Sequence, residues 1–180
     1  MENKNLIRDK MKILKQQVPD FQKTENAKIV FKKIESLTEF KIAKTILLYW
    51  SLPDEMPTHN FVEKWSNSKQ VLLPALDGEE IILKQFISQK QMTAGKWGIL
   101  EPNENECFSE KIDLVVVPGV AFDIKKNRLG RGKGYYDRFL TKINTFKIGI
   151  CYDFQLIESV PANYKDVKMN AVITPSEFIR

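Results

Sequence analysis

The run Ile112–Val117 (IDLVVV) constrains this chain more than any other segment: branched apolar residues follow one another almost unbroken up to Pro118. A strand with one wet face would alternate apolar with polar residues, so continuous Leu and Val mark a strand covered on both sides. Other short apolar runs repeat the signal. Thr45–Trp50 (TILLYW) reads as a second such strand, closed by the loop containing Pro53 and Pro57. Val71–Leu76 and Ile81–Phe86 read as strands joined across Asp77-Gly78, a hairpin signature. Lys147–Tyr152 and Ala171–Thr174 complete the set, with the latter expected to be the last strand.

Helical patterns lie between the strands. Ile7, Met11, Leu14 and Val18 recur at helical spacing until Val18-Pro19-Asp20 stops them. A second helix, capped by Thr24, carries the stripe Ala27, Val30, Phe31, Ile34 and Leu37, and its Lys32-Lys33 is expected to face water. Phe61, Val62 and Trp65 suggest a short helix with His59 in its first turn. Tyr135–Ile143 reads as a helix and Gln155–Val160 as a helical turn, whereas residues 88–110 lose periodicity. Strands alternating with helices predict a single-domain α/β open sheet spanning residues 1–180, mostly parallel and covered by helices on both faces, with ligands at the carboxyl ends of the strands.

Several function classes are excluded by composition. Two cysteines, Cys107 and Cys151, and one histidine, His59, cannot assemble a four-ligand zinc site or a disulfide scaffold. Without a nucleophile motif, His59 is no triad base. No apolar run approaches the ~20 residues that span a bilayer, and the lysine-dotted start lacks a signal peptide's apolar stretch, so no membrane partner and a cytoplasmic location are expected.

The positive charge is uneven. Up to Lys44 the chain has 11 basic and 6 acidic residues, while the rest is balanced, 17 against 17. Inside that balanced remainder, 125–138 holds six bases (Lys125, Lys126, Arg128, Arg131, Lys133, Arg138) against Asp137. The N-terminal lysines read mainly as a solvated helix face. A nucleic-acid module built on the two basic regions is an alternative, although no long basic stripe with stacking aromatics or reading helix accompanies them.

The segment after the best strand carries the chemistry. Gly130, Gly132 and Gly134 alternate with Arg131 and Lys133, so the backbone can approach a ligand closely while cationic donors flank it. The helix beginning near Tyr135 would add its free N–H groups. Such a strand-to-helix junction predicts a polyphosphate cradle. It is neither a Walker A loop, since Lys133 precedes Gly134 instead of Ser or Thr, nor a GxGxxG loop. Asp137 would either pair with Arg138 or hold Mg²⁺ against phosphate oxygens. A different ATP-dependent kinase or ligase using this cradle stays open on these residues alone.

Residues 117–140, VPGVAFDIKKNRLGRGKGYYDRFL, resemble the signature of 5-formyltetrahydrofolate cyclo-ligases, also called methenyltetrahydrofolate synthetases. Lys4-x-x-x-Arg8, Asp54-Glu55, Gly98-Ile99-x-Glu101-Pro102, Gln155 followed by Pro161, and Asp166 extend the resemblance along nearly the whole chain. It implies an open α/β sandwich that uses ATP and Mg²⁺ to close 5-formyltetrahydrofolate into 5,10-methenyltetrahydrofolate, with small-molecule partners only. It implies that Lys4, Arg8 and the loop Arg128, Leu129, Gly130, Arg131, Gly132, Lys133, Gly134, Tyr135 and Tyr136 hold ATP. Arg128, Arg131 and Lys133 would stabilise transferring charge, and Asp137 and Asp166 would serve Mg²⁺. Arg8, Trp50, Glu55, Trp97, Tyr135 and Tyr136 would contact the reduced folate.

Overall fold

A computed structural model describes residues 3–95, 98–103, 108, 110–164 and 166–180. In chain order its elements are α1 (Lys4–Gln16), α2 (Asp20–Ser36), α3 (Thr38–Ile42), β1 (Thr45–Leu47), α4 (His59–Ser66), β2 (Gln70–Asp77) and β3 (Glu80–Gln85). There follow β4 (Met92–Ala94), β5 (Leu100–Pro102), β6 (Leu114–Pro118), β7 (Ala121–Asp123), β8 (Arg128–Leu129), α5 (Tyr135–Leu140), β9 (Phe146–Ile150), β10 (Leu156–Ile157), β11 (Ala171–Ile173) and β12 (Phe178–Ile179).

A 7-stranded sheet of order β12-β11-β9-β6-β1-β2-β3 forms the frame. Its inner strands β11, β9, β6, β1 and β2 are parallel, and β12 and β3 close the edges antiparallel. The fold is therefore α/β with a mostly parallel sheet, and β6 is central, as its unbroken apolar sequence requires. Alternate side chains of one strand enter opposite layers. Leu114 and Val116 pack with Val30, Phe31, Ile34 and Phe61 of α2 and α4. Val115 and Val117 pack on the other face with Phe139 and Leu140 of α5 and with Phe122.

Chain direction across the sheet locates the site. From β1 the chain moves one way to β2, and then returns to lay β6 on the other side of β1. The β1/β6 boundary is thus a topological switch point, where two connections diverge and leave a crevice beyond the strands' carboxyl ends.

Several expectations are corrected. The segment after β6 is not a continuous loop: β7 pairs with β8 antiparallel and with β10 parallel, forming a small second sheet on which Ile7 and Met11 of α1 pack. The Asp123 carboxylate accepts hydrogen bonds from Asn127 N, Asn127 Nδ2 and Val160 N at 2.8–2.9 Å and so fixes the β7–β8 turn. Residues 156 and 157 form β10 after a 3-10 turn at Asp153–Gln155, where a helical turn was expected. β12 follows β11, so β11 is not the last strand. Thr24 does not cap α2, which starts four residues earlier beyond Pro19; its hydroxyl donates to Asp20 O at 3.0 Å within the helix. Lys33 does not project freely into water, because its ammonium donates to Thr174 O and Pro175 O at 2.9 and 2.7 Å and ties α2 to the C-terminal turn.

Candidate active site

A cavity of about 420 Å³ opens at the switch point. Its walls come from both diverging connections: Tyr49, Trp50, Leu52 and Glu55 follow β1, while Pro118, Gly119 and Val120 follow β6. The glycine loop closes a third side with Gly130, Arg131, Lys133 and Gly134, and Tyr135, Tyr136 and Asp137 continue it. Ile99, Leu100 and Glu101 supply the rim opposite. The cavity is apolar on its β2–β3 side, at Pro74, Leu76 and Ile81, and charged around the loop.

Local chemistry explains the loop's path. Gly132 has φ +101° and Gly134 φ +71°, the left-handed region that costs a side-chain-bearing residue ~1–2 kcal/mol. Gly134 is the N-cap of α5, and that helix ends at Leu140, short of the expected Ile143. Buried Gln155 braces the loop's entry: its Nε2 donates to Gly119 O at 3.1 Å and Val120 O at 2.9 Å. In sequence Gln155 marks only the start of a turn and one point of the family resemblance, and its role as a brace has no local signal.

Arg128 is buried at the end of the small sheet. Its Nη2 donates to Asp137 Oδ1 at 2.7 Å, its Nη1 reaches Pro118 O at 3.4 Å, and its guanidinium lies 5.6 Å from the Tyr136 ring centre. Asp137 therefore pairs with Arg128 and not with Arg138. Arg138 instead donates to Lys133 O at 3.1 Å and Glu79 O at 2.6 Å and covers the Tyr135 ring. Arg8 reaches the loop from α1, donating Nε to Gly130 O at 3.0 Å. Lys4 and Asp166 form an ion pair of 2.9 Å, and neither is among the residues lining the cavity.

Arg131 crosses the cleft. Its Nη2 donates to Asp54 Oδ1 at 2.6 Å and to Glu55 Oε1 at 3.1 Å, while Glu55 Oε2 accepts from Leu52 N at 3.0 Å. Lys15 Nζ approaches Asp54 Oδ2 at 3.4 Å from α1. Burial depresses the Lys15 pKa, although Asp54 opposes this. For Asp54, burial is outweighed by the Arg131 hydrogen bond and the Lys15 charge, which hold its carboxyl below the ordinary range. The same carboxylates outweigh burial at Arg131 and raise its pKa. Burial also pushes the Tyr136 hydroxyl well above its usual value.

Trp50 is buried, lines the cavity and stacks on the His59 ring at 4.0 Å and 19°; His59 Nε2 lies 3.1 Å from Ser51 Oγ. Trp97 and Cys107 lie outside the described residues. Among the described residues, no three His, Cys, Asp or Glu side chains gather into a metal-binding group, and no helix is long and apolar enough to cross a membrane. Cys151 is buried with its thiol pKa pushed up by burial.

The fold and cleft define a doubly wound α/β protein with an anion-seeking glycine loop facing an apolar, aromatic wall. Residues 1–175 match the 5-formyltetrahydrofolate cyclo-ligase family. The chain belongs to that family, and it is an enzyme. It is 34% identical over 172 residues to a probable 5-formyltetrahydrofolate cyclo-ligase of Schizosaccharomyces pombe, covering 84% of each chain. It is 28% identical to the 5-formyltetrahydrofolate cyclo-ligase of Haemophilus influenzae, covering 93% of this chain and 95% of the relative. Among solved structures, the 5,10-methenyltetrahydrofolate synthetase of Aquifex aeolicus superposes with a TM-score of 0.89 at 32% identity, covering 98% of this chain and 92% of that one. The synthetase of Mycoplasma pneumoniae superposes with a TM-score of 0.76 at 27% identity, over 97% and 100%.

Proposed function

We propose that this chain closes 5-formyltetrahydrofolate into 5,10-methenyltetrahydrofolate at the expense of ATP, releasing ADP and phosphate. The observation that carries the reading is the convergence, at one switch-point cavity, of three cations on or beside a glycine loop (Arg128, Arg131, Lys133), the tyrosines that continue the loop (Tyr135, Tyr136), and Glu55 and Trp50 from the connection after β1. One side suits a triphosphate and the other a flat, hydrogen-bonding ring.

The chemical obstacle is a poor leaving group, the formamide oxygen. Its attack on the γ-phosphorus breaks the bond to ADP and leaves the formyl oxygen phosphorylated, with the formyl carbon activated towards addition. N10 then adds to that carbon, the C–O bond breaks, phosphate departs and the N10 proton is lost to solvent. No covalent enzyme intermediate is required. The protein's part is to align two ligands and to meet the charge on the transferring group. Arg131 and Lys133 meet it from the loop, and Arg128 holds the loop's exit in place while adding a buried positive charge. Lys4, Arg8 and residues 128–136 bind the nucleotide. Glu55 accepts hydrogen bonds from the pterin amino groups, and Arg8, Trp50, Trp97, Tyr135 and Tyr136 complete the substrate contacts.

Magnesium fits this site only in company with nucleotide. The described residues offer no all-protein cage, but Mg²⁺ on a nucleotide needs only one or two carboxylates beside the phosphate oxygens. Asp137, on the cavity wall, would hold it, and Asp166 would join on exchanging Lys4 for the ion. When bound, the ion neutralises phosphate charge. The test is an absorbance assay for methenyltetrahydrofolate with ATP present or omitted. Product formation that requires ATP supports the reading; ATP binding without folate turnover refutes it in favour of another ATP-dependent kinase or ligase.

A further inference from the structure

The ion network on the far side of the cleft holds a residue that the reaction as described does not use. Lys15 lies on α1, with its side chain only 4% exposed and its Nζ 3.4 Å from Asp54 Oδ2. Asp54 presents its other oxygen to Arg131, and the same Arg131 nitrogen also serves Glu55. Two cations thus compete for one carboxylate, and two carboxylates share one guanidinium nitrogen.

That arrangement conflicts with the task assigned to Arg131. Both N–H bonds of Nη2 are spent on Asp54 and Glu55, so a phosphoryl oxygen that draws on this nitrogen must displace them. Two consequences follow from the geometry. Asp54 would lose its 2.6 Å partner in a half-buried position, a costly state unless another cation stands by. Glu55 would recover Oε1 as an acceptor while Leu52 N keeps Oε2 fixed.

We propose that Lys15 and Asp54 are positioning residues for Arg131: Asp54 parks the guanidinium across the cleft against Glu55, and Lys15, sharing that carboxylate, keeps the parked state weak enough for a triphosphate to displace it. The inference rests on the function proposed above. Taking up the nucleotide then frees Glu55 for the second substrate, so each ligand strengthens the binding of the other, by the same factor in both directions.

The network makes an unusual forecast about variants. Among the described residues, deleting the Lys15 charge leaves Asp54 paired with Arg131 alone, so Lys15→Met deepens the parked state and weakens MgATP. Removing the Asp54 carboxylate as well leaves the guanidinium only its 3.1 Å contact with Glu55, so Asp54→Asn weakens parking and relieves the defect. In calorimetric titrations of the full chain with MgATP, Lys15→Met is expected to raise Kd about 5- to 10-fold, up to ~1.4 kcal/mol. Asp54→Asn is expected to lower Kd about 3-fold, and the double variant to return within about twofold of Asp54→Asn, a non-additive result. In turnover, Lys15→Met should raise KM for ATP while leaving kcat at saturating ATP within about twofold of wild type.

A merely structural role predicts the opposite pattern: the double variant would bind no better than Lys15→Met. That outcome, or an unchanged Kd in Lys15→Met, overturns the proposal. Should Lys15→Met fail to fold, Asp54→Asn alone decides, because weaker or unchanged MgATP binding in it overturns parking. A wild-type chain that binds MgATP without closing the folate ring refutes the proposed reaction while the coupling is still read from ATP affinity. Ring closure in a chain whose variants show no coupling leaves the reaction standing and removes this inference.

Discussion

Arg128→Met isolates the most consequential charge in the cleft. The side chain is 4% exposed and its Nη2 lies 2.7 Å from Asp137, which is 22% exposed. Removing one member of a buried pair typically costs ~3–5 kcal/mol, because the survivor stays charged without a partner. Asp137 keeps some contact with water, which lowers the expected loss to about 2–4 kcal/mol. For a chain of 180 residues, each kcal/mol moves Tm by about 2–4 °C, so a fall of roughly 5–15 °C is expected. Urea unfolding followed by tryptophan fluorescence measures the free energy directly. Arg128→Met/Asp137→Asn removes both charges and should recover about half of the loss. If Arg128→Met stays within ~0.5 kcal/mol of wild type, or the double variant is no more stable than the single one, the pair does not hold the loop's exit and the argument is wrong.

Other perturbations separate binding from stability. Arg131→Ala should lower kcat about 10²-fold with Tm nearly unmoved, since its side chain is 48% exposed and such ion pairs contribute only ~0–1 kcal/mol to stability; parallel kinetics and melting curves check the contrast. Gly132→Ala forces a side chain into φ +101° and towards the Arg8 guanidinium at 3.4 Å, so it should raise KM for ATP and cost ~1–2 kcal/mol of stability in urea titrations. Asp54 has a depressed pKa, so its contribution to stability is complete above the ordinary carboxylate range and is lost as pH falls through the lowered value. Asp54→Asn should therefore flatten the acid limb of the stability profile, measured as urea midpoints from neutral pH downwards, and an unchanged slope would contradict that assignment.

The parts of the fold visible in sequence are those whose burial writes a long local pattern. Leu114–Val117, the stripe on α2 and the Asp77-Gly78 hairpin carry their own signatures. β7, β8, β10 and β12 do not, because pairings of two or three residues leave no periodicity to read and depend on partners elsewhere in the chain. The glycine loop was legible because Gly130, Gly132 and Gly134 alternate with cations over consecutive residues, whereas Lys15 looked like one of many surface lysines. Its burial arises from Asp54, 39 residues away, and from the placement of α1 on the small sheet. Asp54 was visible only as the neighbour of Glu55, and Arg131 reaches it across 77 residues. Ion networks assembled by tertiary contact have no sequence period, which is why the glycine loop between strand and helix was legible and the bridge from Arg131 to Asp54 was not.

The most direct test of the account is a structure of the chain with magnesium and a non-hydrolysable ATP analogue. The triphosphate is predicted to lie on residues 130–134 with Arg131 turned from Asp54 to a phosphate oxygen. Phosphates seated elsewhere, with that loop unoccupied and Arg131 still on Asp54, would contradict it.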